Sequence, residues 1–165
     1  MAVAPGNVDF ATLSQFVKDH LAKAPSEILK PHWDTIINQG LVAGYWTVVN
    51  AWIYRGYTKA QVDQWDRLDE YQLEIAAWFC LKRLSALQPD GVSQAQLDAL
   101  DRRPELVNPP KDGMVSAVLT INGEAVEGEG DFGQPTYGPV DTTNDMFITP
   151  KTNRDDSRIG EITRL

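Results

Sequence analysis

AWIYRGYTKAQVDQW, residues 51–65, decides how the chain folds. Ala51 to Tyr54 read as the end of a helix, Arg55-Gly56-Tyr57-Thr58 as a stop, and Lys59 onward as a restart. Glycine accepts the positive φ that ends helices at little steric cost, so Gly56 is the stop residue. Thr58 followed by Gln61 has the capping-box pattern, in which hydroxyl and side-chain amide satisfy each other's backbone N–H groups. Three aromatics, Trp52, Tyr54 and Tyr57, crowd the stop. The expected structure is a joint between two helices: Trp52 and Tyr57 wedge them apart, Arg55 and Gly56 end the first, and Thr58 opens the second.

Upstream of the joint the pattern stays helical. Asp9 is placed to cap a helix in which Phe10, Leu13, Val17 and Leu21 recur at three- and four-residue steps. Pro25 breaks it, and Ser26 offers the next cap. Ile28, Trp33, Ile36 and Ile37 form a second stripe running to Gly40, a suitable residue just past a helix end. Pro31 fits only in its first turn. Leu41 to Arg55 is then a third segment, with Tyr45, Val48, Val49, Trp52 and Ile53 on one face.

Downstream, Val62 and Trp65 mark the short restarted helix. DRLDEY (residues 66–71) is a polar break with Asp69 as a possible new cap. Leu73, Ile75, Ala76, Phe79 and Leu84 carry the next helix, whose acids come early and whose Lys82 and Arg83 come late, as the helix dipole favours. A last helix spans Gln94 to Arg103, capped by Ser93 and stopped by Pro104. The expected fold class is mainly α: a small helical bundle (1–103) with a long central helix, followed by a largely extended arm (104–165). Within the arm, Asn122-Gly123 between apolar stretches signals a hairpin near 115–127. The rest mixes Pro, Gly, Thr and Asn without a period and is expected to become ordered against a partner.

Charge separates the same two regions. The formal net charge is −8; residues 1–87 hold 8 basic and 9 acidic side chains, residues 88–165 hold 7 and 14. An acidic surface of this kind repels phosphates and disfavours sequence-specific DNA binding. No apolar run approaches the ~20 residues of a bilayer-spanning helix, so no membrane is expected. The start of the chain lacks the basic and apolar regions of a signal peptide, and a single cysteine, Cys80, allows no internal disulfide. A reducing cytoplasm, or an assembly built there, fits these features.

The chain is poor in chemistry. His20 and His32 lack the spacing that brings two ligands to one helical face. Cys80 lies in apolar sequence without a neighbouring histidine, which describes a buried thiol rather than a nucleophile. Asp66, Glu70 and Glu74 share a helical face that in principle binds a divalent cation, although solvated faces share this pattern. A metal-dependent hydrolase on that face is therefore one alternative reading. GEGDFG (128–133) carries too many carboxylates for a phosphate loop. The expectation is a non-enzymatic protein without metal or cofactor.

VVNAWIYRGYT (48–58), AQVDQWDRLDEYQLEIAAWFCL (60–81) and the order of helices resemble the head–tail adaptor proteins of tailed bacteriophages, also called connector or head-completion proteins. The similarity covers about Val8 to Leu87. It implies a structural virion protein of the neck, made in the host cytoplasm. Identical subunits, usually twelve, would form a homo-oligomeric ring that binds beneath the portal protein and meets a tail or nozzle protein. Genomic DNA would pass through its channel at ejection without being read. The resemblance also implies that the C-terminal segment grips the portal. Phe147, Ile148, Arg154, Arg158, Ile159, Ile162, Arg164 and Leu165 are the partner-binding candidates, since they alternate apolar anchors with arginines able to pair with carboxylates. Against this stands the other alternative, a non-viral regulatory or interaction protein with a disordered binding tail.

Overall fold

A computed structural model describes residues 6–27, 29–107 and 116–129. It divides into two compact units: residues 1–52 with 59–127, and residues 53–58 with 128–165. The described part is mainly helical, with one long helix and one small antiparallel pair of strands.

The first unit opens with α1 (Phe10–Asp19), capped where the sequence indicates: the Asp9 carboxylate accepts from the Thr12 N–H at 2.8 Å. Leu13 and Val17 turn into the core. The long helix α2 (Lys30–Tyr54) begins later than Ser26, whose N–H instead donates to the Gln88 side chain at 3.2 Å. Pro31 lies in its first turn, where the missing N–H costs no helical hydrogen bond.

The helix end expected at Gly40 does not occur; α2 runs on through Gly40 and Gly44. The reason lies across the helix interface, in α4 (Leu68–Leu87). A Cβ on Gly40 would collide with the Cys80 sulfur. One on Gly44 would stand 2.8 Å from the Ala76 Cβ, 2.8 Å from the Gln72 carbonyl oxygen and 2.9 Å from the Ala76 nitrogen. A mid-helix glycine costs ~1 kcal/mol against alanine. Here it lets two backbones approach, with Ala76 and Cys80 filling the space. Ile36, Ile37 and Leu41 of α2 join Ala77, Leu81 and Leu84 of α4 in the same core cluster.

Between these helices stands α3 (Lys59–Asp63), five residues only, of which Val62 is buried. α4 starts at Leu68 with Arg67 at its cap position, so Asp69 lies inside the first turn with Glu70 rather than capping it. α5 (Gln94–Leu100) is capped by Ser93 as expected, through a full capping box: Ser93 Oγ accepts from the Gln96 N–H, and the Gln96 side chain accepts from the Ser93 N–H at 2.9 Å. It stops before Arg103, because Arg103-Pro104-Glu105-Leu106 forms a short 3-10 turn of its own.

The expected boundary at Pro104 is not where the packing changes. Leu106, Ala117 and Leu119 are buried, and residues up to 127 belong with the helices. β1 (Thr120–Ile121) and β2 (Glu124–Ala125) pair antiparallel, Thr120 opposite Ala125 and Ile121 opposite Glu124. Asn122 (φ 55) and Gly123 (φ 84) make the turn, both in the positive region that the sequence pair announces. Two-residue strands are too short to stand alone, and what holds them is their attachment to the helices.

Of the second unit, residues 53–58 and 128–129 are described. The Gly56 N–H donates to the Ile53 carbonyl at 3.0 Å and Gly56 has φ +95, the helix stop read from the sequence. Gly128 approaches the Gly56 carbonyl so closely that a side chain on it would collide with that oxygen.

Candidate functional site

Three places among the described residues gather polar or aromatic side chains. The first is the acidic face of α4. Helical spacing does bring Glu70 and Glu74 together, but both meet arginines. Arg67 makes a two-point contact with Glu70 at 2.7 and 3.0 Å, and Arg102 contacts Glu70 at 3.5 Å as well as Glu74 and Glu105. The Arg102 guanidinium also lies 4.4 Å from the centre of the Tyr71 ring, while Arg103 stacks 3.5 Å from that of Trp78. Chiefly through Arg67, the Glu70 carboxyl is held below its ordinary range. Asp66 faces elsewhere: its carboxylate accepts from the Asn122 N–H at 2.9 Å and the Gly123 N–H at 2.7 Å. The three acids are thus engaged with cations or amides, and no group of three or more potential ligands is placed to hold a metal among the described residues.

The second place is a cleft of about 240 Å³ lined by Gly6, Asn7, Tyr45, Lys59, Asp63 and Leu68. It falls below the ~300 Å³ at which ligand pockets begin. Within it the Tyr45 hydroxyl donates to one Asp63 oxygen at 2.6 Å and the Lys59 ammonium to the other at 2.6 Å. Burial, and then the bond to Asp63, pushes the Tyr45 phenol up. Burial pushes Asp63 up as well, but the bonds from Lys59 and Tyr45 outweigh it and hold the carboxyl low. Lys59 is raised, first by Asp63 and then by Tyr45. Near neutral pH this leaves a protonated phenol, an ammonium and a carboxylate, each at rest.

The third place is the expected joint. Trp52 is fully buried, with its ring edge-on to Trp65 at 5.0 Å, and Trp65 in turn lies 4.7 Å from Tyr71. This seats Trp52 in an aromatic core. Arg55, Tyr57 and Thr58 are half-buried around Gly56. Cys80 matches the buried thiol read from the sequence: its Sγ faces the Ile36 carbonyl at 3.5 Å and burial pushes it up to about 12. Phe147, Ile148, Arg154, Arg158, Ile159, Ile162, Arg164 and Leu165 lie outside the described residues.

Comparison with protein-family models, with curated proteins and with solved structures finds no match.

One surface escapes the helical-stripe reading. From Thr35 to Tyr54, α2 contains no Asp, Glu, Lys or Arg. Its buried side accounts for part of that, yet the outward stripe of Thr35, Gln39, Val42, Trp46 and Asn50 is equally uncharged. Val42 is 44% exposed and Trp46 41%, and Tyr54 at the helix end reaches 63%. Charge depletion with an exposed tryptophan is the composition of an interface centre rather than of an ordinary solvated helix. The sequence signal was available: in a solvated helix of this length, charges are expected every few residues on the outer side. Among the described residues no helix is long and apolar enough to cross a membrane.

Proposed function

We propose that the chain is a structural subunit of a phage neck, a head–tail adaptor that packs with identical copies into a ring. In this reading the ring binds under the portal protein, meets the tail or nozzle protein, and passes genomic DNA without recognising its sequence. Twelve copies is the number the family resemblance implies. The observation that carries the proposal is the uncharged outer stripe of α2, centred on Val42 and Trp46. The stripe's own residues carry no charge, Arg83 of α4 reaching only its Gln39 end, and an exposed tryptophan and valine on such a stripe suit a subunit covered by its neighbour. Support also comes from the polar groups, which are engaged in internal pairs, and from the long central helix that the resemblance implies. The grip on the portal is assigned to the segment from Phe147 to Leu165, with its arginines pairing to partner carboxylates.

The test is the mass of the native protein, alone and mixed with portal rings, measured by analytical ultracentrifugation over a wide concentration range. Rings are expected for the wild type, with or without portal as template. Trp46→Asp should leave the helical signal intact while abolishing assembly, because a charge at an interface centre is left desolvated and unpaired. Deleting residues 147–165 should spare the ring and weaken portal attachment. A wild-type chain that stays monomeric at every concentration, with portal present, overturns the reading and favours a regulatory protein with a binding tail.

A further inference from the structure

The hairpin turn has a chemical property that its structural role conceals. In an Asn-Gly pair the glycine backbone nitrogen is unshielded by any side chain and lies one residue from the asparagine carboxamide. Having lost its proton to water or hydroxide, it can attack the asparagine side-chain carbon. A C–N bond forms, the former amide nitrogen leaves as ammonia, and a five-membered succinimide remains. Water then opens the ring at either carbonyl, yielding aspartate or isoaspartate. No electron is gained or lost, and water is the only other reactant.

Asn122 and Gly123 are both exposed to water, so access does not protect them. Geometry does. The nitrogen that must attack is Gly123 N, and its proton is held by Asp66 Oδ2 at 2.7 Å. The preceding amide, Asn122 N, is fixed by the other oxygen of the same carboxylate at 2.9 Å. An anion beside an N–H opposes loss of that proton. Two anchored amides, with Asn122 at φ 55 and Gly123 at φ 84, also hinder the rotation that would swing the nitrogen toward the carboxamide. Around them the Asp66 N–H donates to the Thr120 carbonyl at 2.9 Å and Trp65 Nε1 to the Val118 carbonyl at 3.2 Å, so the turn lifts only if several bonds open together.

We propose that Asn122 is a latent deamidation site guarded by the Asp66 carboxylate, and that its conversion prevents the hairpin from docking again. The product carries a carboxylate on the residue whose own N–H is bound to Asp66. Two carboxylates so placed repel. Isoaspartate adds a further backbone carbon to the two-residue turn and so changes the spacing of the two amides that Asp66 holds. Conversion is one-way, so the converted fraction of a population grows with the time its hairpins have spent lifted.

The experiment keeps the full-length chain warm at mildly alkaline pH and follows residue 122 by peptide mapping and ammonia release, with circular dichroism reporting the fold. Folded wild type should convert at least about tenfold more slowly than the same chain in urea, since only the open fraction reacts. Asp66→Asn, still folded, should lose most of that protection. Where Asp66→Asn does not fold, Asp66→Glu keeps the charge, displaces the carboxylate and should show the same loss. Asn122→Asp reads the consequence: it should melt below wild type, with the deficit shrinking in high salt or in the Asp66→Asn background. Equal conversion rates in folded and unfolded wild type overturn the guard, as does a folded Asp66 variant that converts no faster than wild type. An Asn122→Asp protein as stable as wild type overturns the consequence.

Discussion

Where α2 meets α4, contact depends on what is missing: Gly40 and Gly44 carry no side chain, and Ala76 and Cys80 take up the room. Where the hairpin meets the helices, contact depends on aimed bonds: Asp66 to two turn amides, Trp65 to the Val118 carbonyl, and the Gln61 amide to the Glu127 carbonyl at 2.8 Å. Close packing has no charge to titrate and fails by overfilling. Aimed bonds are indifferent to a little extra volume but fail when a donor or acceptor is removed. One unit thus holds a junction sensitive to size beside a junction sensitive to protonation.

The largest effect should come from removing the second junction outright. A chain ending at residue 103 loses the buried Leu106 and Leu119 along with every hairpin bond. At ~1.5–3 kcal/mol for each buried leucine, the loss is about 3–6 kcal/mol, a large part of a small domain's stability. Ending the chain at residue 129 keeps these contacts and should unfold in urea near the full-length midpoint. Similar midpoints for both truncations would show that the hairpin is an ornament and return the boundary to Pro104.

The sequence reading failed along the same division. Asp9, Ser93, Gly56 and Asn122-Gly123 were legible because each acts on backbone within three residues of itself. Gly40 was not: a glycine after an apolar stripe reads as a helix end unless the partner helix is known, and Cys80 is forty positions away. Arg102 and Arg103 were likewise invisible, since their partners Glu74 and Trp78 become neighbours only on folding. Glu70 and Glu74 share a face of α4, but Arg102, which meets both, comes from another segment. Asp66 misled in the same way, because helical spacing assigns it to Glu70 while folding assigns it to the hairpin.

A smaller effect is expected at the packed junction. Gly44→Ala gains helix propensity of ~1 kcal/mol but drives a methyl onto Ala76 and the Gln72 carbonyl, for a net loss of about 1–2 kcal/mol. Gly40→Ala should cost a similar amount and be partly rescued by Cys80→Ala, which removes the colliding sulfur. Coupling of the two in a double-mutant cycle of thermal unfolding checks this. Strict additivity would mean that the helices move apart freely and the close approach is incidental.

The smallest effect concerns acid. Asp66 is held below the ordinary carboxylate range, first by the Gly123 N–H. A carboxyl depressed in the folded state contributes its stability above the unfolded value, ~4, and loses it as pH falls through the folded value. Hydrogen exchange, corrected for intrinsic rates, should show the Asn122 and Gly123 amides opening below pH ~4. The α2 and α4 amides at Gly40 and Gly44, where the only titratable neighbour is the Cys80 thiol pushed up to about 12, should stay protected in acid. Simultaneous opening of both junctions would erase the distinction between them.

The paired glycines also act as an index mark. Smooth apolar helices can slide past one another by a turn and find another tolerable seating, because leucine against leucine looks much the same one step along. α2 offers no such freedom. A shift of one turn toward its N-terminus would bring Val48 to the place Gly44 now holds, pressing a branched side chain onto the backbone of Gln72 and Ala76, and the opposite shift would bring Ile36 onto the Cys80 sulfur at Gly40's place. The two glycines thus fix one seating of α2 on α4 among the several that apolar stripes alone would tolerate.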